Sequence, residues 1–138
     1  MELLRSLFGF TIQRKPDFII GNPPYMLRWY IIPRNKWFNI YLHKIVKSDD
    51  DRALHDHPWW SASFTLQGSC KEYTKRGTCR TIRKGMVTFR SAEFAHRLEL
   101  IETCWTLFIT GPKLRHWGFH CPTGWIPWET FEKQDGCS

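Results

Sequence analysis

The chain has 138 residues, enough for a single domain that buries its own core. Its 20 Lys+Arg against 13 Asp+Glu give a formal net charge of +7, yet the basic residues are scattered and never form a run. That pattern speaks against a dedicated nucleic-acid arm, although the excess still attracts small anions or nucleotides. No run approaches the ~20 apolar residues of a membrane-spanning helix. The opening MELLRSLFGF has neither the apolar length nor the cleavage site of a signal peptide. The expectation is a soluble, cytoplasmic protein with no membrane partner. Five cysteines without C-x-x-C spacing (Cys70, Cys79, Cys104, Cys121, Cys137) argue against a disulfide framework and against a zinc ribbon. Cys70 and Cys79 are placed to face each other across a hairpin, as a pair or as two reduced thiols.

In chain order, residues 1–15 read as an N-terminal extension of one or two helical turns. The candidate strands that follow are Phe18–Gly21, Met26–Ile32, Trp37–Val46, Pro58–Gln67, Cys70–Thr74, Cys79–Arg83, Met86–Arg90, Arg97–Ile101, Trp105–Thr110 and His116–His120. They are rich in β-branched and aromatic residues and are separated by turn chemistry such as Asn22-Pro23-Pro24, Gln67-Gly68, Lys84-Gly85 and Gly111-Pro112. No window holds a 3.6-residue apolar period over three turns. The fold class is therefore all-β, a sandwich or barrel over residues 16–131, with 132–138 as a C-terminal tail.

The strongest chemical signal is His55-Asp56-His57 entering a strand. Residues i and i+2 of a strand share a face, so both imidazoles project together, and two imidazoles supply half of a metal site. Gly68 follows after ten further residues. A second constellation, Gly85-x5-Ser91-x-Glu93-x2-His96, follows, with sixteen residues between Gly68 and Gly85. By parity, His55 and His57 share a face with Trp59, Ser61, Ser63 and Thr65, whose small hydroxyls leave room for a ligand and supply hydrogen bonds. The opposite face, Trp60, Ala62, Phe64 and Leu66, needs covering by the N-terminal strands or a second subunit; a β-bulge would invert the assignment.

These spacings resemble the two motifs of the cupin superfamily, G-x5-H-x-H-x(3,4)-E-x6-G and G-x5-P-x-G-x2-H-x3-N. Further stretches, Asn39–His43, Ser48–Trp60, Trp105–Lys113 and Trp117–Trp125, are similar to a group of small cupins from phages and proteobacteria. The resemblance implies a double-stranded β-helix, or jelly-roll barrel, with His55, His57 and His96 as metal ligands. It also implies a homodimer. Departures are Ser61 where the family's glutamate ligand falls, Asp49 for the first glycine, Ser91 and Glu93 for the motif's proline and glycine, and Leu100 for its asparagine. The site thus resembles the three-histidine cupins, such as the thiol dioxygenases. The divalent metal is expected to be Fe(II), with Zn, Ni or Mn as alternatives, because imidazole suits all of them.

Around the site, Asp56 is expected to point away from the metal and pair with Arg52 or Arg97. Glu93 is assigned to the surface near the turn, and His43 to a structural or supporting place. Tyr41 and Arg115 are the candidates to clamp a substrate. Lys113, Arg115, His116, Trp117 and His120 gather cationic and aromatic groups that suit an anion at the barrel mouth, while Trp117, Phe119, Trp125 and Trp128 also suit a plug of the barrel end. The leading functional reading is a metal-dependent, dioxygenase-like oxidoreductase acting on a small anionic substrate. A second is a binding module that sequesters an anion or nucleotide, or binds a host protein, around a structural metal. A third is a Lewis-acid isomerase or hydrolase.

Overall fold

A computed structural model describes residues 13–49 and 53–137. The described residues form twelve strands: β1 (Phe18–Ile20), β2 (Met26–Tyr30), β3 (Asn39–Ile45), β4 (Leu54–His55), β5 (Ser61–Gln67), β6 (Ser69–Thr74), β7 (Cys79–Arg83), β8 (Val87–Arg90), β9 (His96–Leu100), β10 (Cys104–Thr110), β11 (Gly118–Cys121) and β12 (Gly124–Pro127). A helix, α1 (Trp128–Lys133), follows. The strands make two six-stranded sheets, ordered β1-β2-β3-β10-β5-β8 and β12-β11-β4-β9-β6-β7. Pairing is antiparallel in both sheets. Residues 1–12 of the expected extension, and Arg52, lie outside the described residues.

The strand that was expected to run into β5 from the histidines is two strands. Leu54–His55 belongs to the second sheet and Ser61–Gln67 to the first, and residues 56–60 carry the chain between them. Pro58 accounts for the break: it has no N–H to give a ladder, and its carbonyl instead accepts Leu114 N at 2.8 Å. β12 and α1 were not anticipated, being too short to show a period.

Alternation in the first sheet is inverted relative to an ordinary core strand. Ser61, Ser63 and Thr65 of β5 are buried, while Phe64 between them is 39% exposed. On neighbouring β8, Thr88 and Arg90 are buried, whereas Val87 and Phe89 are 70% and 68% exposed. Of the outer face that needed covering, Trp60 stacks on Phe89. The barrel interior is thus polar over much of its length. Its apolar packing gathers at one end, where Ile45, Cys70, Ile82 and Cys104 are buried against Met26, Met86, Leu98 and Leu100.

Gly68 closes that end. Its φ is +85°, and a Cβ there would land on the Thr103 carbonyl, so the turn between β5 and β6 admits glycine alone. Cys70 and Cys79 do not face each other: Cys70 pairs with Ile82 and Cys79 with Tyr73 in the β6–β7 register. One disulfide does form, between Cys121 and Cys137. It is one staple rather than a framework, tying the chain after α1 to β11 and leaving Cys70, Cys79 and Cys104 free.

Candidate metal centre

The three histidines come from three differently held segments. His55 and His96 are direct cross-strand partners, the pairing that joins β4 to β9. His57 lies past the end of β4, and its amide donates to the Ala92 carbonyl at 3.1 Å in the β8–β9 turn. Their ring centroids are 4.8 to 5.1 Å apart, and one nitrogen from each ring lies within 4.8 Å of the others. Among the described residues, the cluster contains these three imidazoles and no carboxylate.

Glu72, which the sequence did not single out, organises His96. It sits on β6 with no exposed surface and accepts from His96 Nδ1 at 2.7 Å, Arg80 Nε at 2.7 Å and Arg90 Nε at 2.6 Å. Burial alone would raise its pKa. The hydrogen bond from His96 and the charge of Arg90 prevail and hold it at about 2. An ionised carboxylate only accepts, so Nδ1 of His96 carries the proton and Nε2 keeps its lone pair free for a cation. Burial meanwhile lowers the pKa of His96 to about 4, and the bond to Glu72 offsets this only in part. The carboxylate that the family motif would place at position 61 is thus absent as a ligand, and Glu72 supports a ligand from behind.

Asp56 holds the other two histidines in place. Its carboxylate accepts Gly118 N at 2.8 Å, His120 Nε2 at 3.0 Å and Trp125 Nε1 at 2.9 Å, and it pairs with Arg115 Nη1 at 3.0 Å. Burial pushes its pKa up, but Arg115 and these other donors outweigh that and lower it. Of the two expected partners, Arg52 lies outside the described residues and Arg97 faces outward over the Tyr73 ring; the arginine that pairs with Asp56 among the described residues is Arg115. Arg115 also donates to the His57 carbonyl at 3.1 Å. Its guanidinium braces the histidine loop. Asp49, in the place of the family's glycine, accepts Leu98 N at 2.8 Å and lies 3.9 Å from His55 Nδ1.

His57 is the ligand candidate with an open nitrogen. Its Nδ1 is buried without a hydrogen-bond partner. Burial, reinforced by His55 and His96, lowers its pKa well below the usual imidazole value. A neutral, unpartnered buried nitrogen beside two more imidazoles fits a divalent cation bound through nitrogen.

Trp59 stacks on His57 with centroids 5.1 Å apart, while Ser61, Ser63 and Thr65 line the interior beyond it. Tyr41 and His43 are buried on the same interior surface, and Arg28 Nε donates to His43 Nε2 at 2.9 Å. Burial, with Arg28 adding to it, keeps His43 well below its usual pKa, consistent with the structural place assigned to it. Glu93 is exposed in the β8–β9 turn, away from ligation. The C-terminal cluster divides. Lys113, His116, Trp117 and Trp128 line a recess with Trp59 and Tyr41, whereas Arg115 and His120 serve Asp56.

No protein-family model matches the sequence, and no curated protein does either. Solved structures do share the fold. Protein NMB1881 from Neisseria meningitidis is 20% identical over 76% of this chain and 95% of its own, with a TM-score of 0.56. An RmlC-like cupin from Shewanella frigidimarina is 15% identical over 72% of this chain and 83% of its own, at 0.56. An Fe(II) form of HppE is 13% identical over 67% of this chain and 53% of its own, at 0.54. The fold is the double-stranded β-helix that these cupin structures share. No helix among the described residues is long and apolar enough to cross a membrane.

Proposed function

We propose that the protein is a metal-dependent oxidoreductase of the dioxygenase type, with His55, His57 and His96 holding Fe(II) beside a small anionic substrate. The observation that carries this reading is the convergence of three imidazoles, with no carboxylate in the cluster among the described residues, beside Trp59, which stacks on His57 and lines a recess together with Arg34, Lys36 and Lys113. The Fe(II) form of HppE shows that this fold accommodates iron in another protein. Bound iron would supply O2 chemistry and Lewis acidity, and a three-nitrogen face leaves its charge uncompensated, which favours an anionic partner.

The chain's own residues do the rest. Glu72 fixes the tautomer of His96, while Asp56 and Arg115 fix the segment that carries His55 and His57. Tyr41 lines the recess and meets the substrate, and Trp59 screens His57 from water.

The test is elemental analysis of anaerobically purified protein beside His57→Ala, followed by oxygen uptake with small acids and thiols. Near-stoichiometric iron that is lost in the variant, with iron-dependent oxygen uptake, is expected. Zinc in place of iron, or no turnover across the panel with iron bound, would overturn the oxidoreductase reading.

A further inference from the structure

We propose that the barrel mouth binds a small aromatic acid, a flat ring bearing one carboxylate. The inference rests on the metal-centre reading for its position, and deepens it by naming the ligand class. The recess holds about 580 Å³, room for a ring of one or two cycles.

Three indoles line it. Trp59 comes from the segment after the histidines, Trp117 from the strand-linking stretch before β11, and Trp128 from the start of α1. Trp117 and Trp128 lie nearly parallel, 10° apart with centroids at 5.8 Å, which fixes both ring planes. Trp59 is fixed by His57 on one side and by the edge contact with Phe108 at 5.5 Å. Rigid aromatic walls favour a flat π-bearing occupant over a saturated one of equal size.

The charge of the lining selects an acid. Arg34, Lys36 and Lys113 stand on the rim against Glu129, and Glu129 is already engaged by His116 at 2.8 Å. Among the described residues no carboxylate lies within 4 Å of any of the three cations, although Glu129 feels the charge of Lys113; Arg34 and Lys36 lie over the Tyr30 and Trp37 rings. Behind the lining residue Asn39, its register neighbour Thr110 carries a buried hydroxyl with no hydrogen-bond partner among the described residues.

The experiment titrates the full chain, metal-free and Co(II)-loaded, with benzoate, cyclohexanecarboxylate, benzyl alcohol and adenosine monophosphate, reading tryptophan fluorescence and heat. Benzoate should bind roughly 3- to 10-fold more tightly than cyclohexanecarboxylate, as rigid aromatic walls imply. It should also exceed benzyl alcohol, and Lys113→Gln with Arg34→Gln should lower its affinity at low salt and less at high salt. Trp128→Leu should erase the preference for the flat ring while Co(II) uptake stays unchanged. Equal binding of benzoate and its saturated analogue, or tighter binding of the nucleotide, would overturn the proposal even with Co(II) bound. Absence of Co(II) uptake together with a retained benzoate preference would sink the metal reading and leave this one standing.

Discussion

The two ends of this barrel are built from the same strands and obey opposite rules. On β3 the interior position is Ile45 at one end and Asn39 at the other; on β10 it is Cys104 and Thr110; on β9 it is Leu100 and His96. At the closed end, burial alone suffices, because removing apolar area from water is non-directional. At the open end the buried groups are Glu72, Arg90, Asp56, His96 and a row of hydroxyls. Each of these costs free energy unless it is paired. Position along one strand therefore decides whether the interior stabilises the fold or specifies a site.

The comparison breaks most visibly at Glu72. Replacing it with Ala leaves the Arg90 guanidinium, 5% exposed, buried without its carboxylate. Loss of one partner from a buried charge pair is expected to cost about 3–5 kcal/mol in urea unfolding of the metal-free protein. Co(II) affinity should fall as well, by roughly 10- to 100-fold, because His96 loses its orienting partner. At the other end, Ile45→Ala should cost about 2–5 kcal/mol through the cavity it leaves. Its Co(II) affinity should match wild type, and a matching loss there would mean the two ends are not separable.

Asp56→Asn sharpens the polar side. It weakens charge-assisted bonds from Arg115 and His120 without leaving space, so about 1.5–3 kcal/mol of stability should go in thermal unfolding. Co(II) should bind more weakly because the segment holding His55 and His57 loosens.

The smallest effect is a pH dependence from His43. Its folded pKa lies below its unfolded value, so below about pH 6.5 the unfolded chain takes up a proton that the folded one refuses. Stability should fall as pH drops from 7 toward 5. His43→Gln, which keeps an acceptor for Arg28, should flatten part of that slope in urea titrations at each pH.

The histidines and turn glycines were legible because both act at fixed spacing. Gly68 must be glycine to clear Thr103, and His55 and His96 sit where β4 pairs with β9. Glu72 was not legible as part of a motif, yet a cue exists. In Ser69–Thr74 the buried positions are Cys70 and Glu72, so a carboxylate occupies the interior parity of a strand whose next interior neighbour is a cysteine. Asp56 was seen, but its partner was not, because Arg115 is 59 residues on and reaches it only once β11 has paired with β4. The outward parity of Phe64 was read, but its exposure depends on neighbours that one strand cannot reveal.

Four donors converge on the Asp56 carboxylate, between two of the histidines, and none of them is a cation from solution. The nitrogen cage is thus framed by the polypeptide itself. Folding should then proceed without the cation, unlike in a zinc finger, where folding and metal uptake are one event. A chelator should empty the site and leave the barrel standing. Which cation the site takes up would then be set by supply and donor softness.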